Sequence, residues 1–450
     1  MEKNNTVISG ATVINEGRKF KADIFIEDGY ISEILTSNNS GALPRIDEHF
    51  NAENMYLFPG FIDTHVHFRE PGLTHKANMF YESRAAAAAG VTSCLEMPNT
   101  LPAATNADEL EHKFRIAEYN SIINISFFAG ATNNNINDLL KLDYSKICGI
   151  KVFMGSSTGN MLVNNDSALE DIFKESKVRI ALHCEDEDEI NRSTELIKQK
   201  YGENPPFSVH PLVRNRTACL KSSLKAVELS EKYGTKIHIT HISTKEELAL
   251  LKDTPTVENK QITAEACIAH LFFSDQDYAK YGSLIKCNPS IKTEDDREAL
   301  CNALSTDKID SIATDHAPHT KQEKANSYFK APSGMPSVQF ASSIIFDFCQ
   351  KGILSLEQMA EKMCHAPAKI FKISKRGFIR EGYFADLAII NPCKGRTITD
   401  AICLSKCGFT PFNNMQVSSV IAATFVNGRK IFSDNKINEI SSAKFLSFNN

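Results

Sequence analysis

Between residues 58 and 375 the chain alternates short, nearly unbroken apolar runs with longer amphipathic stretches. The runs cover 61–66, 91–97, 122–129, 147–153, 178–183, 236–242, 262–267 and 309–314. Runs of this length with apolar residues at both parities are strands buried on both faces, the pattern of a parallel sheet covered by helices. The stretches between them carry helix punctuation: 76–89 ends at Gly90, 107–119 begins after Asn106, and 214–233 is followed by Gly234. Eight such repeats over about 310 residues predict a (β/α)8 TIM barrel. A doubly wound open sheet has the same alternation, but no G-x-G-x-x-G follows the first run.

The two ends have another texture. Residues 6–8, 22–26 and 30–35 are short β-like runs broken by Asp28-Gly29 and by Asn38-Asn39-Ser40-Gly41. The pattern returns at 385–390 and 417–426, with Asn427-Gly428 as a hairpin turn. We therefore expect a small β-sandwich domain built from residues 1–57 and 376–450, with the barrel of residues 58–375 inserted into it.

Composition narrows the partners. Of 450 residues, 42% are hydrophobic, ample for a core, and the formal net charge is -5. With no long basic run, neither nucleic acid nor an anionic membrane is expected as a partner. The 12 cysteines include no C-x-x-C pair, the start Met1-Glu2-Lys3-Asn4-Asn5 has no apolar signal core, and no apolar stretch reaches membrane length. These features point to a cytoplasmic protein with reduced thiols.

In a barrel of this kind chemistry gathers at the C-terminal ends of the strands. The first run ends in Asp63-Thr64-His65-Val66-His67-Phe68-Arg69. Alternation along a strand turns His65 and His67 to one side, where both imidazoles can share a cation. Arg69 has the same parity and supplies a planar, permanently charged fork suited to a carboxylate. Asn99 follows the second run, His183 ends the fifth, His241 lies in the sixth and Asp315 follows the eighth. A lone strand histidine is more often a hydrogen-bonded core residue than a ligand. His238 has opposite parity to His241 and is expected to face the helices. His49, His112, His210, His270 and His365 lack a strand-end setting and are expected in surface or packing roles.

Lys151 is the odd residue, an amine in the apolar fourth run. An ammonium aimed into a barrel is costly unless it is paired or chemically altered. Carbamylation by CO2 would make it an anion with two oxygens, able to bridge two divalent metals.

In this order the motifs resemble those of the amidohydrolase superfamily and, within it, the dihydroorotase family. They are P-G-F-I-D-T-H-V-H-F-R-E-P-G, E-M-P-N-T, the lysine strand, the single-histidine strands, C-N-P-S at 287–290, T-D-H-A-P-H, and the G-x-I-x-x-G-x-x-A-D-L segment at 377–387. The resemblance implies one zinc held by His65, His67 and Asp315, and a second held by His183 and His241. Carboxylated Lys151 and a hydroxide would bridge the pair. It further implies that Arg69, Asn99 and His319 grip the substrate's carboxylate. Asn288 and the backbone around Ser333 and Gly334 would touch the pyrimidine ring, and Asp315 would be the general acid/base. The implied reaction is the reversible cyclisation of N-carbamoyl-L-aspartate to (S)-dihydroorotate in pyrimidine biosynthesis, by a homodimer. Some relatives carry a cysteine where this chain has Thr240, so no third zinc is expected. Segment 155–160, rich in glycine and hydroxyls, is an equally good lid or plain loop.

The rivals sharing this metal cage are dihydropyrimidinase or hydantoinase, and allantoinase. Arg69 and Asn99 separate them, because a simple hydantoin has no free carboxylate. A non-catalytic scaffold is the other class, set against it by the complete ligand set.

Overall fold

The computed structural model describes residues 5–36, 46–155, 161–254, 257–440 and 442–449; most of segment 155–160, weighed above as a lid, lies outside them. Each of the eight apolar runs contributes a strand: Phe61–Val66, Val91–Glu96, Asn124–Gly130, Gly149–Phe153, Ile180–His183, Ile237–Ile239, Ile262–Cys267 and Ser311–Ala313. They form one parallel eight-stranded sheet in sequence order. The first and last strands meet where His67 N–H donates to His316 O at 2.7 Å and Val66 bridges His316. The barrel is nearly closed.

Local chemistry sets the helix ends. Asn106 Oδ1 accepts from Glu109 N–H at 3.0 Å to open the helix Ala107–Asn120. The helix Arg216–Tyr233 stops at Gly234, whose φ of 70° suits the left-handed cap. Strands six and eight stop earlier than their apolar runs. The backbone leaves the sheet before His241 and Asp315, which frees those residues to point across the barrel mouth.

Both termini build one nine-stranded sheet. Its central strand Tyr56–Pro59 pairs parallel with Thr6–Asn15 and antiparallel with Leu387–Asn391, so the seam joins the two ends of the chain. One face forms its own core around Ile8, Val13, Ile24, Leu57, Leu387 and Phe425. Ile14, Phe58, Ile390 and Val426 belong instead to the main core of the barrel. Asp386 pins the junction: it forms a buried ion pair with Arg376 and accepts from Asn124 Nδ2 at 3.1 Å and from Asn427 N–H at 2.7 Å.

The last residues leave that sheet. Leu446 N–H donates to Ile125 O at 3.2 Å and Phe448 N–H to Ser145 O at 3.0 Å. Leu446 and Phe448 are buried with Phe128, Ala181 and Phe371, filling the end of the barrel opposite the polar residues. No helix among the described residues is long and apolar enough to cross a membrane.

Candidate metal centre and active site

The residues singled out at strand ends converge. His65 Nε2 and His67 Nε2 lie 3.3 and 3.2 Å from Asp315 Oδ1, and these three atoms form a group able to hold a cation. His183 Nδ1 faces His241 Nε2 at 2.9 Å, and the His241 ring centre is 5.2 Å from that of His65. Lys151 is wholly buried, with its Nζ 3.0 Å from Thr240 Oγ1. Among the described residues no carboxylate comes within ion-pair distance of that amine.

Hydrogen bonds on the far side of each ring decide which nitrogen is bare. His65 donates from Nδ1 to Glu265 at 2.6 Å and His67 from Nδ1 to Asn99 Oδ1 at 2.7 Å. His183 donates from Nε2 to Glu185 at 2.9 Å, and Glu185 is held in turn by an ion pair to Arg214. The opposite nitrogens are thus unprotonated and face the cluster, the condition for ligating a metal. Burial favours the neutral form of three of these side chains: His67 is drawn down to about 4 despite Asp315, and His183 and His241 are lowered for the same reason. Asp315 is drawn down to about 2 against the upward push of burial, so it stands as a carboxylate. Two imidazole nitrogens and a carboxylate, beside a second facing imidazole pair, fit divalent cations.

Backbone strain gathers here. Arg69, His241 and Asp315 have φ of 66°, 41° and 47°, in the left-handed region. Such residues cost about 1–3 kcal/mol each and persist only where the surrounding fold imposes them. Around Asp315 that support is visible. Asp63 accepts from Thr314 Oγ1 at 2.6 Å, while His316 donates from Nε2 to Glu82 at 2.9 Å and accepts Ser337 N–H at 3.0 Å.

His238 does not face the helices. It stands in register with Ala181 and Lys151, inside the barrel, and donates from Nε2 to Glu265 at 3.1 Å. Parity counted from His241 misleads because the strand ends at Ile239 and His241 sits in left-handed backbone beyond it. Glu265 is the residue that sequence reasoning missed. Its carboxylate accepts from His65, from His238 and from Thr64 Oγ1 at 2.8 Å, all buried. The signal was present: an acid inside an apolar strand is as anomalous as Lys151.

These groups line a cavity of about 70 Å³ made by His65, His67, Arg69, Asn99, Phe153, His183, His241, Asn288, Asp315, Ala317, Ser333 and Gly334. Lys151 is not among them, but its Nζ lies 5.2 Å from the ring centre of Phe153, which is. His319 stands behind Arg69, its Nε2 3.1 Å from the Arg69 Nη2 and 3.0 Å from Ser333 O. Arg69 also donates from Nε to Pro318 O at 3.1 Å. Burial draws its guanidinium down to about 10, still charged at neutral pH, and no carboxylate among the described residues pairs with it. Asn288 Oδ1 is buried without a partner. A cleft of about 830 Å³ beside Asn15 and Arg380 is larger but has no such ligand cluster, so chemistry rather than size marks the site. Of the remaining histidines, His210, His270 and His365 are buried on backbone carbonyls, and His49 is exposed.

Comparison with known proteins agrees with this geometry. Residues 56–431 match the amidohydrolase family model, so the chain belongs to the amidohydrolase family and is a hydrolase of cyclic amides. Among curated proteins, many relatives at about 30% identity are named dihydroorotase. That of Methanosarcina acetivorans is 32% identical over 93% of this chain and 90% of its own length. That of Methanosphaera stadtmanae is 30% identical over 92% and 94%. Among solved structures, an L-hydantoinase (dihydropyrimidinase) from Arthrobacter aurescens superposes with a TM-score of 0.92, covering 98% of this chain and 99% of its own, at 22% identity. The dihydropyrimidinase of Brevibacillus agri gives 0.88, also at 22%, with 99% and 100% covered. At that identity the structural likeness speaks for the fold alone.

Proposed function

We propose that this enzyme interconverts N-carbamoyl-L-aspartate and (S)-dihydroorotate, a step of pyrimidine biosynthesis, as a cytosolic homodimer. The observation that carries the reading is Arg69. A buried guanidinium beside a metal-ligand cluster, with no acid of its own among the described residues, calls for an anionic group on the substrate. Dihydroorotate brings a carboxylate, whereas dihydrouracil and hydantoin bring none. The dihydroorotase relatives at about 30% identity support the same choice.

His65, His67 and Asp315 would hold one zinc, His183 and His241 a second, and N6-carboxylated Lys151 would bridge them. Zinc, when bound, polarises the amide carbonyl and lowers the pKa of water enough for attack at neutral pH. The protein's own groups do the rest. Arg69 and the Asn99 amide hold the carboxylate, with His319 buttressing Arg69 from behind. Asn288 Oδ1 is free to accept a ring N–H, and Ser333 and Gly334 flank the ring. Asp315 Oδ1 is turned to His65 and His67, which leaves Oδ2 to take the proton of the attacking water. As the ring C–N bond breaks, Asp315 returns that proton to the departing nitrogen. Cyclisation runs these steps backwards.

Ring opening of dihydroorotate, dihydrouracil and allantoin, followed separately on zinc-loaded protein, tests the proposal. We expect dihydroorotate to lead by about a hundredfold or more in kcat/KM, since leaving a buried charge without its partner costs ~2–5 kcal/mol. Preference for either neutral substrate would overturn the assignment.

A further inference from the structure

The pocket wall at residues 332–334 is held by a lysine that no step above uses. Lys324 is 1% exposed, and its Nζ donates to Gly334 O at 2.8 Å, Pro332 O at 3.0 Å and Lys286 O at 3.2 Å. Lys286 continues the support, donating from Nζ to Ala331 O at 2.6 Å and to Tyr328 O at 2.7 Å, while Gly334 N–H donates to Lys286 O at 2.8 Å. Among the described residues neither lysine has a carboxylate partner. The carbonyls are their counter-charge.

The remaining carbonyl belongs to Ser333. His319 Nε2 lies 3.0 Å from Ser333 O and 3.1 Å from Arg69 Nη2, with Lys76 Nζ 3.1 Å from Nδ1 on the far side of the ring. Pro332 has no N–H. Across 332–334, Ser333 N–H and Oγ are therefore the polar atoms left without a protein partner among the described residues, and Ser333 lines the cavity. The backbone carbonyls of the wall are all engaged outside the pocket, and what faces in is the Ser333 N–H and its hydroxyl. Gly334 is fixed in this arrangement: at φ 128°, a Cβ there would come within 2.5 Å of Ala317 O.

We propose that Lys324 is a specificity-determining positioning residue: by drawing the Pro332 and Gly334 carbonyls out of the pocket it leaves the Ser333 wall free of backbone acceptors, which selects an anionic substrate over its neutral analogue. This rests on the ring-opening activity proposed above and deepens it.

The test is Lys324→Met, which keeps length and removes the donors, assayed as zinc-loaded enzyme on dihydroorotate and dihydrouracil. We expect the KM for dihydroorotate to rise about tenfold, kcat to stay within about threefold, and the dihydroorotate-to-dihydrouracil ratio of kcat/KM to fall about tenfold. An unchanged ratio, whether both activities persist or fall together, would reduce Lys324 to a structural brace and overturn the inference. Should the variant fail to fold, the wild-type protein decides: saturating orotate should shift the Ser333 amide resonance and uracil should not, and no shift with orotate refutes the claim. A wild type that prefers dihydrouracil would instead refute the activity itself, a result read before any variant is made.

Discussion

Lys151→Ala should cost the enzyme about a thousandfold or more in turnover and drop its zinc from two per subunit to at most one. The amine is wholly buried, reaches Thr240 Oγ1 at 3.0 Å, and has no acid to neutralise it among the described residues. Burial draws it down to about 8, which raises the fraction of free amine, the form that reacts with CO2. Carbamylation replaces a cation with a bridging anion. Without it the His183–His241 pair has no third donor, and the loss of one ion from a two-metal site removes several kcal/mol of transition-state stabilisation, about 10³ in rate. Zinc analysis and initial rates, with and without propionate as a substitute carboxylate, check this. Two zincs and near-normal rates in the variant would contradict the bridge.

Asp315 is the second large effect. Asp315→Ala should abolish measurable turnover while most of the zinc remains, because a proton shuttle is worth about 10²–10⁴ in rate. Asp315→Asn is the sharper variant. Asparagine tolerates the φ of 47° at this position and keeps an oxygen toward His65 and His67, but cannot carry the proton. Both variants should fall together in kcat at matched zinc content. Normal turnover in a metal-replete variant would remove Asp315 from proton transfer.

Much of this was legible in the chain. Strands buried on both faces leave unbroken apolar runs, so all eight barrel strands could be read to within a few residues, and the polar residue ending a run marks the catalytic mouth. His65, His67, His183, His241 and Asp315 were singled out that way and Lys151 as an amine within a run, and the structure brings them together. What failed were inferences needing three-dimensional closure. His238 was misread because strand parity stops where the backbone turns at His241. Glu265 escaped notice because its partners, His65 and Thr64, lie some 200 residues away across the barrel. The tail at 442–449 reads like the β segments before it, and only the open edge beside Ile125 explains why it docks on the barrel. Lys286 and Lys324 look like surface lysines in sequence, since nothing local announces that loop carbonyls will surround them.

Diffraction from crystals of the zinc- and bicarbonate-loaded protein, with data collected at the zinc absorption edge, tests the central claim most directly. The account predicts two anomalous peaks, one among His65, His67 and Asp315 and one between His183 and His241, with carboxylate density joining Lys151 to both. A single peak, peaks elsewhere, or an unmodified Lys151 between two occupied ions would contradict it.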